Sequence, residues 1–222
     1  MSKFLKDCGG GPLVEFTLTF PIMISLALGT VDFAYYWADA SFANKAAFIG
    51  ARIAVISSPV ATGITDPSWT VSLLGQPCYD SNGDSNGNCP TVNTTCTPTG
   101  TSGGSCTGGE AFNNTTFTAI LNPMSNLFPK LQRQNVKITY ATNNLGFVGR
   151  PNGPPMNITV KIRCMTHQFF FINVLMQWVF TAPTADQDGV TCPSGAPAGP
   201  TISASATSLS SECLIYSECV AF

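Results

Sequence analysis

The sequence predicts an α+β protein: a long N-terminal transmembrane helix packed on a small antiparallel sheet, with disulfide-stapled loops. Three observations carry this expectation. Residues 16–31 hold no charge, two later stretches alternate apolar and polar side chains, and all but one of the nine cysteines follow the apolar run. Composition agrees. Only 10% of the 222 residues are charged and 44% are hydrophobic, whereas a soluble domain carries about 25% charged residues. A formal net charge of −2 leaves no basic field to collect phosphates, so no nucleic-acid partner is expected.

The first element is the helix. Lys3 and Lys6 precede the apolar run, and the next basic residue is Lys45. The positive-inside bias therefore keeps residues 1–10 cytoplasmic and exports the chain beyond the run. As a helix, residues 16–31 cover about 24 Å, short of a hydrocarbon core of about 30 Å. Phe33, Tyr35, Tyr36 and Trp37, just after Asp32, extend the run as the aromatic belt expected where a helix leaves lipid. A secretory signal peptide is the alternative, with small residues such as Ala38 and Ala40 standing for a cleavage site. Against it, the run exceeds the roughly 7–15 residues of a signal core and holds acids at both ends.

The helical pattern continues outside the membrane. Phe42, Ala46, Ile49, Ile53 and Ile56 recur at steps of four and three, marking a bulky apolar face. Ala43, Ala47, Gly50 and Ala54 form a neighbouring stripe of small side chains that permits close backbone approach. Ser57, Ser58 and Pro59 end the pattern, so one helix, transmembrane in its inner half, is predicted over 11–57. Pro21 removes one of its hydrogen bonds and is a candidate kink.

Glu15 is the residue that an ordinary anchor does not explain. It stands at the mouth of the apolar run, five residues beyond Gly10, and a carboxylate there is costly without a partner. A short basic leader, a glycine, four residues, a glutamate and an unbroken hydrophobic helix together form the layout of type IV-like prepilins. The string Val14-Glu15-Phe16-Thr17-Leu18, with Pro21, Gly29, Asp32, Phe33 and Gly50-Ala51-Arg52 beyond it, resembles the TadE-like pseudopilins of tight-adherence (Tad/Flp) pili. The resemblance is densest over residues 9–56, with weaker similarity at Val136-Lys137-Ile138-Thr139-Tyr140 and over 203–212. It implies a cytoplasmic prepilin leader over 1–10, cut between Gly10 and Gly11 by a prepilin peptidase, so that Glu15 becomes the fifth mature residue. Three consecutive glycines blur that cut by one residue, and Pro12 beside it is unusual. The resemblance further implies an inner-membrane, single-pass protein with a pilin-like head. Its partners would be other pilins and pseudopilins and the inner-membrane pilus assembly platform. Glu15, Phe16, Pro21 and Asp32 become candidate assembly residues, with Glu15 meeting the amine of an adjacent subunit.

The exported head is predicted over 58–222. Cys78, Cys89, Cys96, Cys106, Cys164, Cys192, Cys213 and Cys219 come after the helix, an even set suited to disulfides in an oxidising space. Eight cysteines allow 105 pairings, and Cys213 with Cys219 is a candidate terminal loop. Residues 78–109 read as an irregular Gly/Ser/Thr/Asn loop held by cross-links. Within it, Asp80, Asn82, Asp84, Asn86 and Asn88 alternate like calcium ligands, but no frame fits an EF-hand and a solvated turn is expected. Phe117, Ile120, Leu121, Met124, Leu127 and Phe128 have helical spacing interrupted by Pro123, which leaves one helix or two short turns.

Val136, Ile138 and Tyr140, and then Ile158, Val160, Ile162 and Cys164, alternate with polar neighbours as an antiparallel pair laid on the long helix. Residues 169–180 are apolar but too short to span, and read as a core strand or buried helix, with an exposed adhesive patch as the alternative. Residues 181–200 read as a linker, and Ile202, Ala204 and Ala206 as a last strand. Catalysis is not expected. His167 is the one histidine, Cys164 with His167 is half a metal site at best, and no cofactor-binding or phosphate-binding motif is present. The rival functions are a tethered adhesin that binds through 78–109 and a periplasmic enzyme using His167.

Overall fold

The computed structural model describes residues 11–64, 73–80, 82, 84, 86–143, 145–149, 155–171, 173, 184–185, 192 and 199–208. The leader with Gly10, Cys213, Cys219 and most of 169–200 lie outside the described residues. Helix α1 (Gly11–Ile56) is a single element of 46 residues, about 69 Å long at the usual rise. Two very different environments divide it.

From Leu13 to Leu26 every side chain is exposed, apolar ones included. A helix apolar all round with no described residue packed on it belongs in lipid, and α1 is long and apolar enough to cross a membrane. Its hydroxyls fit that setting. Thr17, Thr19, Ser25 and Thr30 each donate to a carbonyl three or four residues back, so each donor is satisfied without water. Pro21 is accommodated inside the helix.

Beyond Asp32 one face of α1 is covered by the head. Ala43, Ala46, Ala47, Gly50, Ala51 and Ala54 are buried. The small stripe, with Ala46 and Ala51, thus receives the head, whereas on the bulky face Phe42 and Ile56 are exposed and Ile49 and Ile53 only half-buried. The reason is volume. The head supplies the large side chains, so the helix must supply small ones for the two to interdigitate at crystal-like density.

The head is one antiparallel sheet of β1 (Asn93–Thr99), β2 (Gly103–Cys106), β3 (Val136–Thr142), β4 (Met156–Thr166) and β5 (Thr201–Ser208), in the order β2-β1-β3-β4-β5. Register places Cys106, Cys96, Ile138, Val160 and Ala206 in one cross-strand row, and pairs Tyr140 with Ile158 and Ile162 with Ala204. These residues line the face that joins the core under α1 and α2 (Asn114–Leu127). Strand β5 packs on α1 and adds Ala204 and Ala206 to the core between the larger side chains of β3, β4 and α2.

Helix α2 settles the open question at Pro123 in favour of one helix. Asn113 Oδ1 caps its start by accepting from the Thr116 N–H at 3.2 Å. Phe117, Ile120 and Met124 are buried along one face, and that burial outweighs the single hydrogen bond lost at Pro123. Met124 packs into the notch at Gly50, where any Cβ would overlap its sulfur. After α1 the chain returns to the core, where the Val60 N–H donates to Tyr140 Oη at 2.9 Å. Ala61 then bridges to Phe112, just before α2.

Two expectations need correction. Residues 78–109 are not one irregular loop, because β1 and β2 form a hairpin turning at Gly100 (φ +58). Threonines at 94, 95, 97 and 99 favour extended backbone, and the Cys96–Cys106 disulfide joins directly opposed residues. The alternation in β4 also stops at Ile162. A register shift lies between Ile162 and Met165, and Cys164 takes φ 56, as an extra residue in one strand requires. Arg163, Cys164 and Met165 are consequently all buried.

Candidate functional site

The chemistry-bearing groups gather where α1 leaves its bare segment. Three carboxylates lie along α1: Glu15, Asp32 and Asp39. Asp32 is fully buried, and its two oxygens accept the N–H groups of Phe170 (3.2 Å) and Phe171 (2.8 Å). Two turns on, Asp39 Oδ2 accepts from Lys130 Nζ at 2.6 Å and from His167 Nδ1 at 2.7 Å. A carboxylate only accepts, so the His167 hydrogen sits on Nδ1. His167 lies between the rings of Tyr36 and Phe169, with centroids 5.7 and 5.1 Å away, and its Nε2 is buried without a partner among the described residues. The His167 N–H donates to Pro200 O at 3.1 Å.

Residues 167–171 thus form a strap from the end of β4 across α1, fixed at Asp32, Tyr36 and Asp39. Beside it opens a cavity of about 500 Å³ lined by Lys130, Thr166, His167, Phe169, Phe170 and their neighbours. Of the apolar stretch expected to be core, Phe169 is buried at 4%, whereas Phe170 and Phe171 are 76% and 55% exposed.

Glu15 contrasts with the other two carboxylates. It is exposed on the bare segment and makes no side-chain hydrogen bond or ion pair with any described residue. Gly11 lies four residues before it, about 6 Å along the axis. Phe16 is exposed and stacks on Phe20 at 5.1 Å. Pro21 is exposed as well. Asp32 differs from these assembly candidates in facing inward, where it serves the strap.

Among the described residues three disulfides are formed: Cys78–Cys89, Cys96–Cys106 and Cys164–Cys192. With Cys164 bridged and His167 held by Asp39, the half metal site is used up. Among the described residues no group of three His, Cys, Asp or Glu could hold a metal. The calcium-like run is a set of turns in which Asp80 Oδ1 accepts the N–H groups of Asn82 and Asp84 and Asn86 Oδ1 accepts that of Asn88. Elsewhere on the head, Leu74, Tyr79, Leu145 and Phe147 are exposed near a small separate core of Cys78, Cys89 and Val148.

The joint itself was missed by sequence reasoning. Asp39 stands in the helix as an ordinary polar residue, and Lys130 is 91 positions away. An acid flanked by aromatics at a membrane exit is the signal that could have pointed to it.

Comparison with known families gives one match. Residues 13–52 match the family described as TadE-like protein, which agrees with the likeness of this segment to TadE-like pseudopilins of the tight-adherence pilus system. The match covers under a fifth of the chain and takes in Glu15, Asp32, Asp39 and the small residues Ala43, Ala47 and Gly50. A search of curated proteins and a search of solved structures each returned no match.

Proposed function

We propose that this chain is a membrane-anchored pseudopilin, a minor pilin that takes part in assembling a tight-adherence pilus by packing rather than by catalysis. The observation that carries the reading is the state of the three carboxylates of α1. Asp32 and Asp39 find their partners within the head, whereas Glu15 has none among the described residues and stands on the bare apolar segment. A charge left at the edge of hydrocarbon is characteristically functional and paired. Cutting between Gly10 and Gly11 by a prepilin peptidase would create an amine about one helical turn from Glu15. Donated to the carboxylate of an adjacent subunit, that amine fixes the axial register. The N-terminus is then cytoplasmic, the head periplasmic or extracellular, and the partners are other pilins and the inner-membrane assembly platform.

Mass spectrometry of the native N-terminus, with and without the prepilin peptidase, tests the processing. The expected start is Gly11 only when the peptidase is present, and a start at Met1 in both strains refutes it. Glu15→Ala should leave membrane insertion intact and impair pilus assembly, so normal piliation in that variant refutes the register role.

The exposed apolar residues Leu74, Tyr79, Leu145 and Phe147 favour a second reading, a tethered adhesin or ligand-binding module. That reading predicts full function for Glu15→Ala and loss of adhesion for Tyr79→Ser.

A further inference from the structure

We propose that the 167–171 strap is a second membrane contact, in which Phe170 and Phe171 enter the phospholipid interface beside the exit of α1. The proposal rests on the reading that the bare half of α1 crosses a bilayer. Neighbouring Phe169 is buried at 4%, yet Phe170 is 76% and Phe171 55% exposed. They are not loose ends. Both backbone N–H groups are held by the buried carboxylate of Asp32, at 3.2 and 2.8 Å, so a fixed pair of phenyl rings is presented outward.

Their depth is set by the helix. Asp32 lies seventeen residues beyond Glu15, or about 26 Å along the axis, against a hydrocarbon core of about 30 Å. With Glu15 near one face of the core, the strap meets α1 close to the other. Its surroundings are those of an interface. Phe33, Tyr35 and Trp37 are 57%, 57% and 71% exposed, and the Tyr35 and Phe170 rings touch edge-on at 6.3 Å. Aromatic rings collect at this level of a bilayer. The Lys130 side chain, 63% exposed and lining the same cavity as Phe170, adds an ammonium suited to lipid phosphate. Burial of Asp32 fits as well, since a carboxylate at this depth needs donors that do not depend on water. The strap therefore fixes the height and tilt of the head, and lipid covers the rings.

Depth-dependent quenching tests this in the full chain reconstituted into phosphatidylcholine vesicles, with lipids brominated near the glycerol end or near the chain terminus. Phe170→Trp, Leu26→Trp and Leu145→Trp are made separately, and the emission added over the parent is read. Phe170→Trp should lose several times more emission than Leu145→Trp, with the glycerol-end lipid quenching more. Leu26→Trp should be quenched most by the chain-terminal lipid.

Quenching of Leu26→Trp but not of Phe170→Trp overturns the strap contact while leaving the span intact. Absence of quenching in Leu26→Trp refutes the span and the strap contact with it. Blue-shifted emission from Phe170→Trp that resists both lipids and reddens on dilution assigns the rings to a second copy of the chain, and also overturns the proposal. Phe171→Trp is the second reporter if Phe170→Trp does not assemble.

Discussion

Replacing Asp32 tests the joint between helix and head most directly. Its carboxylate is fully buried and accepts two backbone N–H groups, one on each oxygen. A hydrogen bond to a charged group contributes about 1.5–3 kcal/mol, so Asp32→Ala should weaken the attachment of the strap by about 3–6 kcal/mol. The released N–H groups can reach solvent when the strap opens, which favours the lower figure. At about 1.4 kcal/mol per tenfold change, the amides of Phe170 and Phe171 should exchange on the order of 100-fold faster. Asp32→Asn keeps one acceptor oxygen but turns an NH2 donor toward the second N–H, so it should fall between the two. Hydrogen exchange of the full chain in detergent or nanodiscs reads both sites. Amides of the β3–β4 pair report separately any global change from Asp32's other interactions. Unchanged exchange at Phe170 and Phe171 in Asp32→Ala would refute the anchoring role.

Three further outcomes are expected. Gly50→Ala gains about 1 kcal/mol of helix propensity but forces Met124 aside at a cost of about 1–3 kcal/mol; denaturation should therefore show the pair Gly50→Ala and Met124→Ala less destabilised than the sum of the singles, and strict additivity would contradict the notch. Burial pushes the Tyr140 hydroxyl up to about 12 from its ordinary 10.0; the native state then holds the proton longer than the unfolded chain, so stability should be intact below pH 10 and fall by about 2–3 kcal/mol between pH 10 and 12. Tyr140→Phe should cost about 1–3 kcal/mol at neutral pH by orphaning the Val60 N–H and abolish that alkaline loss, and a persisting loss would assign it elsewhere. Separate Cys→Ala removal of Cys96–Cys106, with a separation of 10, and of Cys164–Cys192, with a separation of 28, should cost about 2.7 and about 3.6 kcal/mol by loop entropy; the reverse order in urea melts would show that strain or residual structure dominates.

Legibility in the sequence tracks the range of the interactions. Helix α1 was readable because an apolar run and a 3.6-residue repeat are local signals, and β3, β4 and β5 because alternation is local too. The choice between two faces of α1 was not, since Ala43 and Phe42 differ only in what the head offers them. Only a bulky partner such as Met124, seated against Gly50, decides for the small stripe. Strands β1 and β2 were hidden by a composition that also suits loops, although Cys96 and Cys106 placed evenly about Gly100 to Gly103 carried the hairpin signal. Asp32 was seen as a candidate assembly residue and Asp39 was not seen as a site residue at all. Their partners lie 138 and 128 residues away at Phe170 and His167, beyond the reach of any periodicity.

The joint also decides what the helix can transmit. Contacts to the head run along one face of α1 from Asp32 through Tyr36, Asp39, Ala43, Ala47 and Gly50 to Ala54. Ala54 lies 22 positions beyond Asp32, or about 33 Å along the helix. A helix clamped over that length cannot slide or turn by one residue against the head without burying Phe42 or Phe48 where only alanine fits. The bare half of α1 and the head therefore move as one lever, with Pro21 the only break in the hydrogen-bond ladder between Glu15 and the clamp. On the pseudopilin reading, a register fixed at Glu15 then fixes the height of the head. A flexible tether after residue 32 would lose that information, and the carboxylates at Asp32 and Asp39 are placed where such slack would otherwise begin.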